Sequence, residues 1–313
     1  MLVDDTGRVF IAGLGRVTQL GADGALQYSQ SGGFSGAVAA ALLNDGTRAV
    51  LSRDGRVLGW WPSGAVAFEV ALDVPAANGT SSLLPLPDGG ALASVGQWLF
   101  EIDATRAIRA YAGLPAPIQH TLLAGAGAIA IDEQGRVFEW DWREPLRSLG
   151  AFGSPVVASA IDGEALVALS SRRGLMSMSR ADGSVHEVAR LDAPGVAPLL
   201  GRLGPRRWVL MRYDGSWFVS EPDVAPHPPA ARGEPGALSE LDLLVDATGS
   251  VAWWASEAPL HLETASGVGR ELPDVRCAVP VSLVPAGHGR LVAACGSGLV
   301  WLVGPETSQA APR

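Results

Sequence analysis

A glycine followed by a short apolar segment recurs along this chain at intervals of about forty residues. It stands at Gly15-Arg16-Val17, Gly55-Arg56-Val57, Gly96-Gln97-Trp98, Gly135-Arg136-Val137, Gly174-Leu175-Met176, Gly215-Ser216-Trp217 and Gly298-Leu299-Val300, with Pro259-Leu260-His261 taking the same place once. The steps run from 39 to 44 residues and reach from one end of the chain to the other. A period of this length, held throughout and built of short β-type runs, predicts an all-β repeat architecture, a β-propeller.

The second unit displays the pattern inside each repeat. Apolar runs at 37–43, 48–52, 56–61 and 65–71 are separated by Asn44-Asp45-Gly46, Arg53-Asp54-Gly55 and Pro62-Ser63-Gly64. Gly accepts positive φ and Asn or Asp tolerates it, so these are tight hairpin turns and the unit is a four-stranded meander. Blades stacked around an axis bury both faces, which explains strands that are continuous apolar runs rather than alternating ones. Eight such units predict eight blades, with seven plus one divergent segment as the alternative. The expected domain is a single propeller over 1–305, with a disordered tail over 306–313 and a last unit lacking its fourth strand. Trp60, Trp61, Trp98, Trp140, Trp142, Trp217 and Trp301 all fall on the expected third strand and read as inter-blade packing. One stretch breaks the rhythm: Glu221 to Gly236 carries Pro226, Pro228 and Pro229 where the sixth unit should place its outer strand. Proline cannot donate to a ladder, so this reads as a rim loop, a damaged edge strand or a docking segment.

Net charge is −9, charged residues make up 18% of the chain, and all 23 basic residues are Arg. No basic run exceeds two residues, so the positive field that a nucleic acid needs is missing. The first residues carry no basic-then-apolar leader, and no apolar stretch has the length of a membrane span. The reading is cytoplasmic as numbered, or periplasmic or extracellular if an export segment lies upstream.

The run Gly15-Arg16-Val17-Thr18-Gln19-Leu20-Gly21-Ala22-Asp23-Gly24-Ala25-Leu26 resembles the repeat of quinoprotein-like propellers, those of the pyrroloquinoline-quinone type. So does Gly174-Leu175-Met176-Ser177-Met178-Ser179-Arg180-Ala181-Asp182-Gly183. In that family the third strand runs into an Asp-x-x-Gly turn and then a Trp; here Tyr28 and Glu187 stand in the region of that Trp. The resemblance implies the propeller fold. Catalytic members carry a vicinal Cys pair and calcium ligands that have no counterpart in this chain, whereas non-catalytic relatives include outer-membrane assembly lipoproteins. Trp-Asp-repeat propellers are also similar, through the single dipeptide Trp140-Asp141.

Chemistry-bearing residues are scattered. His120, His186, His227, His261 and His288 have no metal-ligand spacing, and nucleophile-elbow, metalloprotease and phosphate-loop motifs are missing. Asp45, Asp54, Asp88, Asp162, Asp182, Asp214 and Asp246 follow the hairpin spacing and read as turn residues. No cofactor, metal ligand or catalytic residue is expected. His120, Arg202 and Glu240 are the polar exceptions on otherwise apolar first strands and are candidate channel-lining residues. Trp61, Trp142 and Trp254 are candidate binding platforms. Cys277 and Cys295 flank a hairpin centred near Ala286-Gly287 almost symmetrically, which permits either a cross-strand disulfide or two buried thiols. The function expected is a non-catalytic protein-interaction scaffold; the alternative is an enzyme, or a small-ligand or sugar binder, using the central channel.

Overall fold

The computed structural model describes residues 1–4, 6–13, 15–74, 80–125, 127–170, 172, 174–189, 199–204, 207–211, 217–221, 224–227, 241–245, 251–255, 259–263, 269–278, 280–285, 290–295, 297, 300–303 and 308–310. These residues are all-β and form eight four-stranded antiparallel sheets, each made of four strands consecutive in sequence. They group into two compact units, Met1–Val156 with Arg180–Ser184, and Val157–Ser179 with Val185–Arg313.

In the first unit, sheet one holds β1 (Leu2–Val3), β2 (Val9–Gly13), β3 (Arg16–Leu20) and β4 (Leu26–Ser31). Sheet two holds β5 (Ala37–Leu42), β6 (Arg48–Ser52), β7 (Arg56–Trp60) and β8 (Val66–Ala71). Sheet three holds β9 (Ser82–Pro85), β10 (Ala91–Val95), β11 (Trp98–Ile102) and β12 (Ile108–Gly113). Sheet four holds β13 (Ile118–Ala124), β14 (Gly127–Asp132), β15 (Arg136–Trp140) and β16 (Arg147–Ala151).

The second unit begins with sheet five, of β17 (Val156–Asp162), β18 (Ala165–Ser170), β19 (Gly174–Ser179) and β20 (Val185–Ala189). Sheet six holds β21 (Leu199–Gly204), β22 (Arg207–Met211), β23 (Trp217–Glu221) and β24 (Val224–His227). Sheet seven holds β25 (Leu241–Val245), β26 (Val251–Ala255), β27 (Pro259–Glu263) and β28 (Gly269–Arg276). Sheet eight holds β29 (Pro280–Pro285), β30 (Leu291–Cys295), β31 (Val300–Val303) and β32 (Ser308–Ala310).

The repeating glycine has two physical causes. It closes the turn between second and third strands with positive φ, +74° at Gly15, +77° at Gly55 and +77° at Gly135, a region that costs other residues about 1–2 kcal/mol. It also touches the linker leaving the outer strand. A Cβ at Gly135 would stand 2.1 Å from the Ser154 carbonyl oxygen, and the Gly135 carbonyl accepts the Phe152 N–H at 2.9 Å. Gly15 accepts from Gly32, and Gly55 from Leu72, in the same way. The period in the sequence is therefore the period of this turn-to-linker dock.

The cores lie between successive sheets. Phe10, Phe34 and Trp60 close one cluster between sheets one and two, with Trp60 fully buried and 6.1 Å from Phe10. In the second unit Trp254 and Trp301 meet edge-on at 5.5 Å. Second strands β6, β10 and β14 are buried at every position, as expected of strands covered on both faces.

Two expectations change, and one set of alternatives narrows. The last unit does have a fourth strand: β32 pairs with β31 through Trp301↔Ala310, Leu302↔Gln309 and Val303↔Ser308, inside the stretch read as a disordered tail. Its sequence, Ser-Gln-Ala, carries no apolar pattern, because an outer strand needs only main-chain partners on one side. Part of the proline-rich stretch is likewise an edge strand, β24, including Pro226; Pro228 and Pro229 lie outside the described residues. Trp61 and Trp142 do not lie on third strands, which end at Trp60 and Trp140; each follows in the next turn.

Candidate interaction surface

The outer strands open with matching hairpins. Gly21 N–H bonds to the Ala25 carbonyl, Trp61 to Ala65 and Asp103 to Ala107. An Asp or Ser at the third residue of each turn, or at its start, caps it: the Asp23 carboxylate accepts the Ala25 N–H at 3.0 Å, and Asp103 accepts Thr105 and Ala107. The residue after each turn is apolar, Leu26, Val66 and Ile108, and begins β4, β8 and β12. A β-bulge follows each of them, where the ladder shifts beside Leu20, Trp60 and Ile102. The inward side is already filled by the third strand, so these residues point to water, 62%, 65% and 38% exposed respectively. Leu146 and Val185 open β16's approach and β20 at the same place but are half-buried. Sequence reasoning missed this series because apolar runs alone were read as strands; the signal was one apolar residue after the turn in each of the first five units.

The hairpin carrying Trp61 lies against sheet one. Gln19 Nε2 donates to the Pro62 carbonyl at 3.1 Å, and the Gln30 amide donates to Gly64. A Cβ on Gly64 would touch the Tyr28 ring at 3.2 Å. The hairpin of Trp61, 42% exposed, is thereby set beside β4. Exposed apolar groups, with a Trp among them, are the chemistry of protein contact surfaces.

A second feature lies on sheet four. A cleft of about 340 Å³ is lined by Ala124, Gly127, Glu139, Trp140, Asp141, Glu144, Pro145 and Arg147. Glu139 accepts hydrogen bonds from Arg147 and, at 2.8 Å, from Arg180. Burial pushes its carboxyl up, and the two guanidinium groups more than reverse that, leaving it below its usual value. Trp142 is half-buried and edge-on to Trp140 at 4.9 Å. The cleft offers the carboxylates of Glu139, Asp141 and Glu144 and the guanidinium of Arg147.

The other candidate residues are dispersed. His120 is half-buried on β13, and its Nε2 lies 3.0 Å from the Val156 carbonyl. Burial holds its pKa below the ordinary histidine value, partly offset by that bond. Arg202 sits on β21; its side chain and the whole of Glu240 lie outside the described residues. Trp254 is no platform: it is fully buried on β26 in the core with Trp301, because a second strand is covered on both faces. Among the described residues, no three His, Cys, Asp or Glu side chains gather as a metal site, and no helix is long and apolar enough to cross a membrane.

Cys277 and Cys295 are joined by a disulfide with Cα atoms 5.7 Å apart. They are not opposed in the ladder, where Cys295 pairs with Pro280 ahead of a bulge. Cys277 instead is the first residue after outer strand β28, the place held by Leu72, Leu114 and Phe152 after β8, β12 and β16. Those three are 2%, 2% and 0% exposed; the bridge stands where sheets two, three and four use an apolar plug.

No protein-family model and no curated protein matches the chain. Solved structures do. The crystal structure of BamB from Moraxella catarrhalis aligns with a TM-score of 0.75 at 14% identity, over 98% of this chain and 94% of that one. The structure of dihydro-heme d1 dehydrogenase NirN in complex with DHE aligns at 0.72 and 15%, over 100% of this chain and 74% of that one. The computationally designed Ika8 protein aligns at 0.68 and 14%, over 88% and 86%. At these identities the likeness is one of fold, and the fold of this chain is the β-propeller, built of four-stranded antiparallel blades.

Proposed function

We propose that this chain is a non-catalytic scaffold that binds another protein through the rim of its first sheets. The observation that carries this reading is the exposed apolar series Leu26, Val66 and Ile108, at one repeated position, with exposed Trp61 in the turn that precedes Val66. A folded surface that exposes the same apolar position in three consecutive sheets is prepared for contact. The fold itself does not choose, since one structural neighbour is named as a dehydrogenase. The test is affinity capture from the source organism with the wild-type chain and with Leu26→Ser/Val66→Ser/Ile108→Ser. A stoichiometric protein partner lost by the triple variant is the expected result; no partner, together with a co-purifying small molecule, overturns the reading.

A small-ligand or sugar-binding role is the second reading, favoured by the Glu139–Arg147 cleft and the Trp140 indole that lines it. The disulfide supports work in an oxidising compartment. Thiol titration of native protein checks this: no reactive thiol before reduction and two after is expected, and two free thiols at the outset sinks it.

A further inference from the structure

Outer strands of sheets present one row of unpaired main-chain groups, and proteins guard such edges with charge or proline. Guarding is visible along this chain. β8 carries Glu69, paired with Arg56 at 2.9 Å; β12 carries Arg109, β16 Arg147 and β20 Glu187. β24 contains Pro226, and β28 contains Arg270, Glu271, Pro273, Asp274 and Arg276. Only β4, among the described outer strands longer than three residues, has neither: it reads Leu26-Gln27-Tyr28-Ser29-Gln30-Ser31. It stands at the end of its sheet, hydrogen-bonded to β3 alone, and Leu26, Gln27, Ser29 and Ser31 are exposed. Five register partners hold it to β3, from Arg16↔Ser31 to Leu20↔Leu26, with one register shift between Gln19 and Leu20 near its start. Thr18 and Arg16 side chains fix the Ser29 hydroxyl at 3.0 and 3.2 Å.

We infer that β4 is a docking edge, to which an extended segment of a partner protein adds as a fifth strand of sheet one. The inference rests on the scaffold reading and names its contact. The chemistry of the edge defines the occupant: alternating N–H and C=O groups are satisfied only by another extended backbone. The absence of charge on β4 calls for an uncharged segment, and Leu26, 62% exposed at its start, calls for an apolar residue at the end of that segment. A strand bearing carboxylates is disfavoured by a chain of net charge −9.

The test begins with a photo-crosslinking amino acid placed at Ser29 of the full chain, and at Glu69 on guarded β8 as control, in the source organism. The protein trapped at Ser29 is purified and recombined with unmodified chain. Amide hydrogen exchange across 26–31 is expected to slow by about tenfold or more, and Ser29→Pro to weaken binding by about tenfold or more. Ser29→Lys is made in parallel, since lysine keeps the strand hydrogen bonds while restoring a guard; it should weaken binding with unchanged thermal stability. Protection confined to other strands, or trapping only a second copy of this chain, overturns the docking edge while leaving a scaffold role standing. No protein trapped from any rim position overturns both.

Discussion

Gly135 shows how a single residue can carry the period of the whole chain. Its φ of +77° favours glycine, and the Ser154 carbonyl fills the space a Cβ would need. Gly135→Ala is expected to cost at least about 1–2 kcal/mol, from the left-handed backbone alone, read as a lower midpoint in urea with unchanged slope. Asp4 and Arg48 form the most deeply buried ion pair described, at 2.7 Å with side chains 6% and 3% exposed. Burial pushes the Asp4 carboxyl up, but bonds from Thr6 and Arg8 more than reverse it, so its pKa lies below the ordinary value. Its contribution is therefore present above the ordinary carboxylate range and lost as pH falls through the lowered folded value. Asp4→Ala strands Arg48 and should cost about 3–5 kcal/mol at neutral pH, with a smaller loss in acid. Glu101 has the opposite sign: it is buried, its nearest cation, Arg109, is 3.7 Å away, and burial raises its pKa. A raised carboxyl weakens the fold as pH climbs from the ordinary range through the raised value. Glu101→Gln is expected to raise the melting temperature at pH 7 to 8 and to give no gain below pH of about 4. Nothing in the sequence distinguishes Glu101 from its counterpart Glu139, because the difference is whether a neighbouring Arg reaches the carboxylate.

At the scale of elements, the turns were the most legible part of the sequence. Asp45, Asp88, Asp103, Asp141 and Asp182 each accept the backbone N–H two residues on, which is local chemistry and needs no tertiary information. Strand ends and registers were less legible. The symmetric placement of the cysteines about a hairpin suggested opposed partners, yet the ladder is centred further along the chain, pairing Pro285 with Leu291 and Cys295 with Pro280, which leaves Cys277 in the linker. β32 was invisible because three residues of main-chain pairing leave no side-chain pattern. Reducing the bridge, whose cysteines are 18 residues apart in sequence, should lower stability by about 3 kcal/mol on the chain-entropy account. Equilibrium denaturation with and without reductant measures it, and Cys277→Leu, which restores the plug used elsewhere, should recover part of that loss under reducing conditions.

For the whole molecule, the repeat forecast the β-propeller and the order of its strands but not its contact surface. Trp61, Trp142 and Trp254 read alike in sequence; the structure leaves the first exposed, the second half-buried and the third enclosed. Exposure is a property of which neighbours a repeat meets, and that lies beyond its own forty residues. Because Leu26, Val66 and Ile108 lie outside the inter-sheet cores, their combined replacement by Ser should change unfolding free energy by no more than about 0.5 kcal/mol per site, while removing the bound protein. Every sheet is also closed by four strands drawn from one uninterrupted stretch of chain. Cutting and rejoining the gene at the linkers that follow β4, β8 and β12 would thus leave each hydrogen-bond ladder whole. The repeats can be duplicated, swapped or diversified one at a time, and the rim of one blade can acquire a new specificity without rewriting the others.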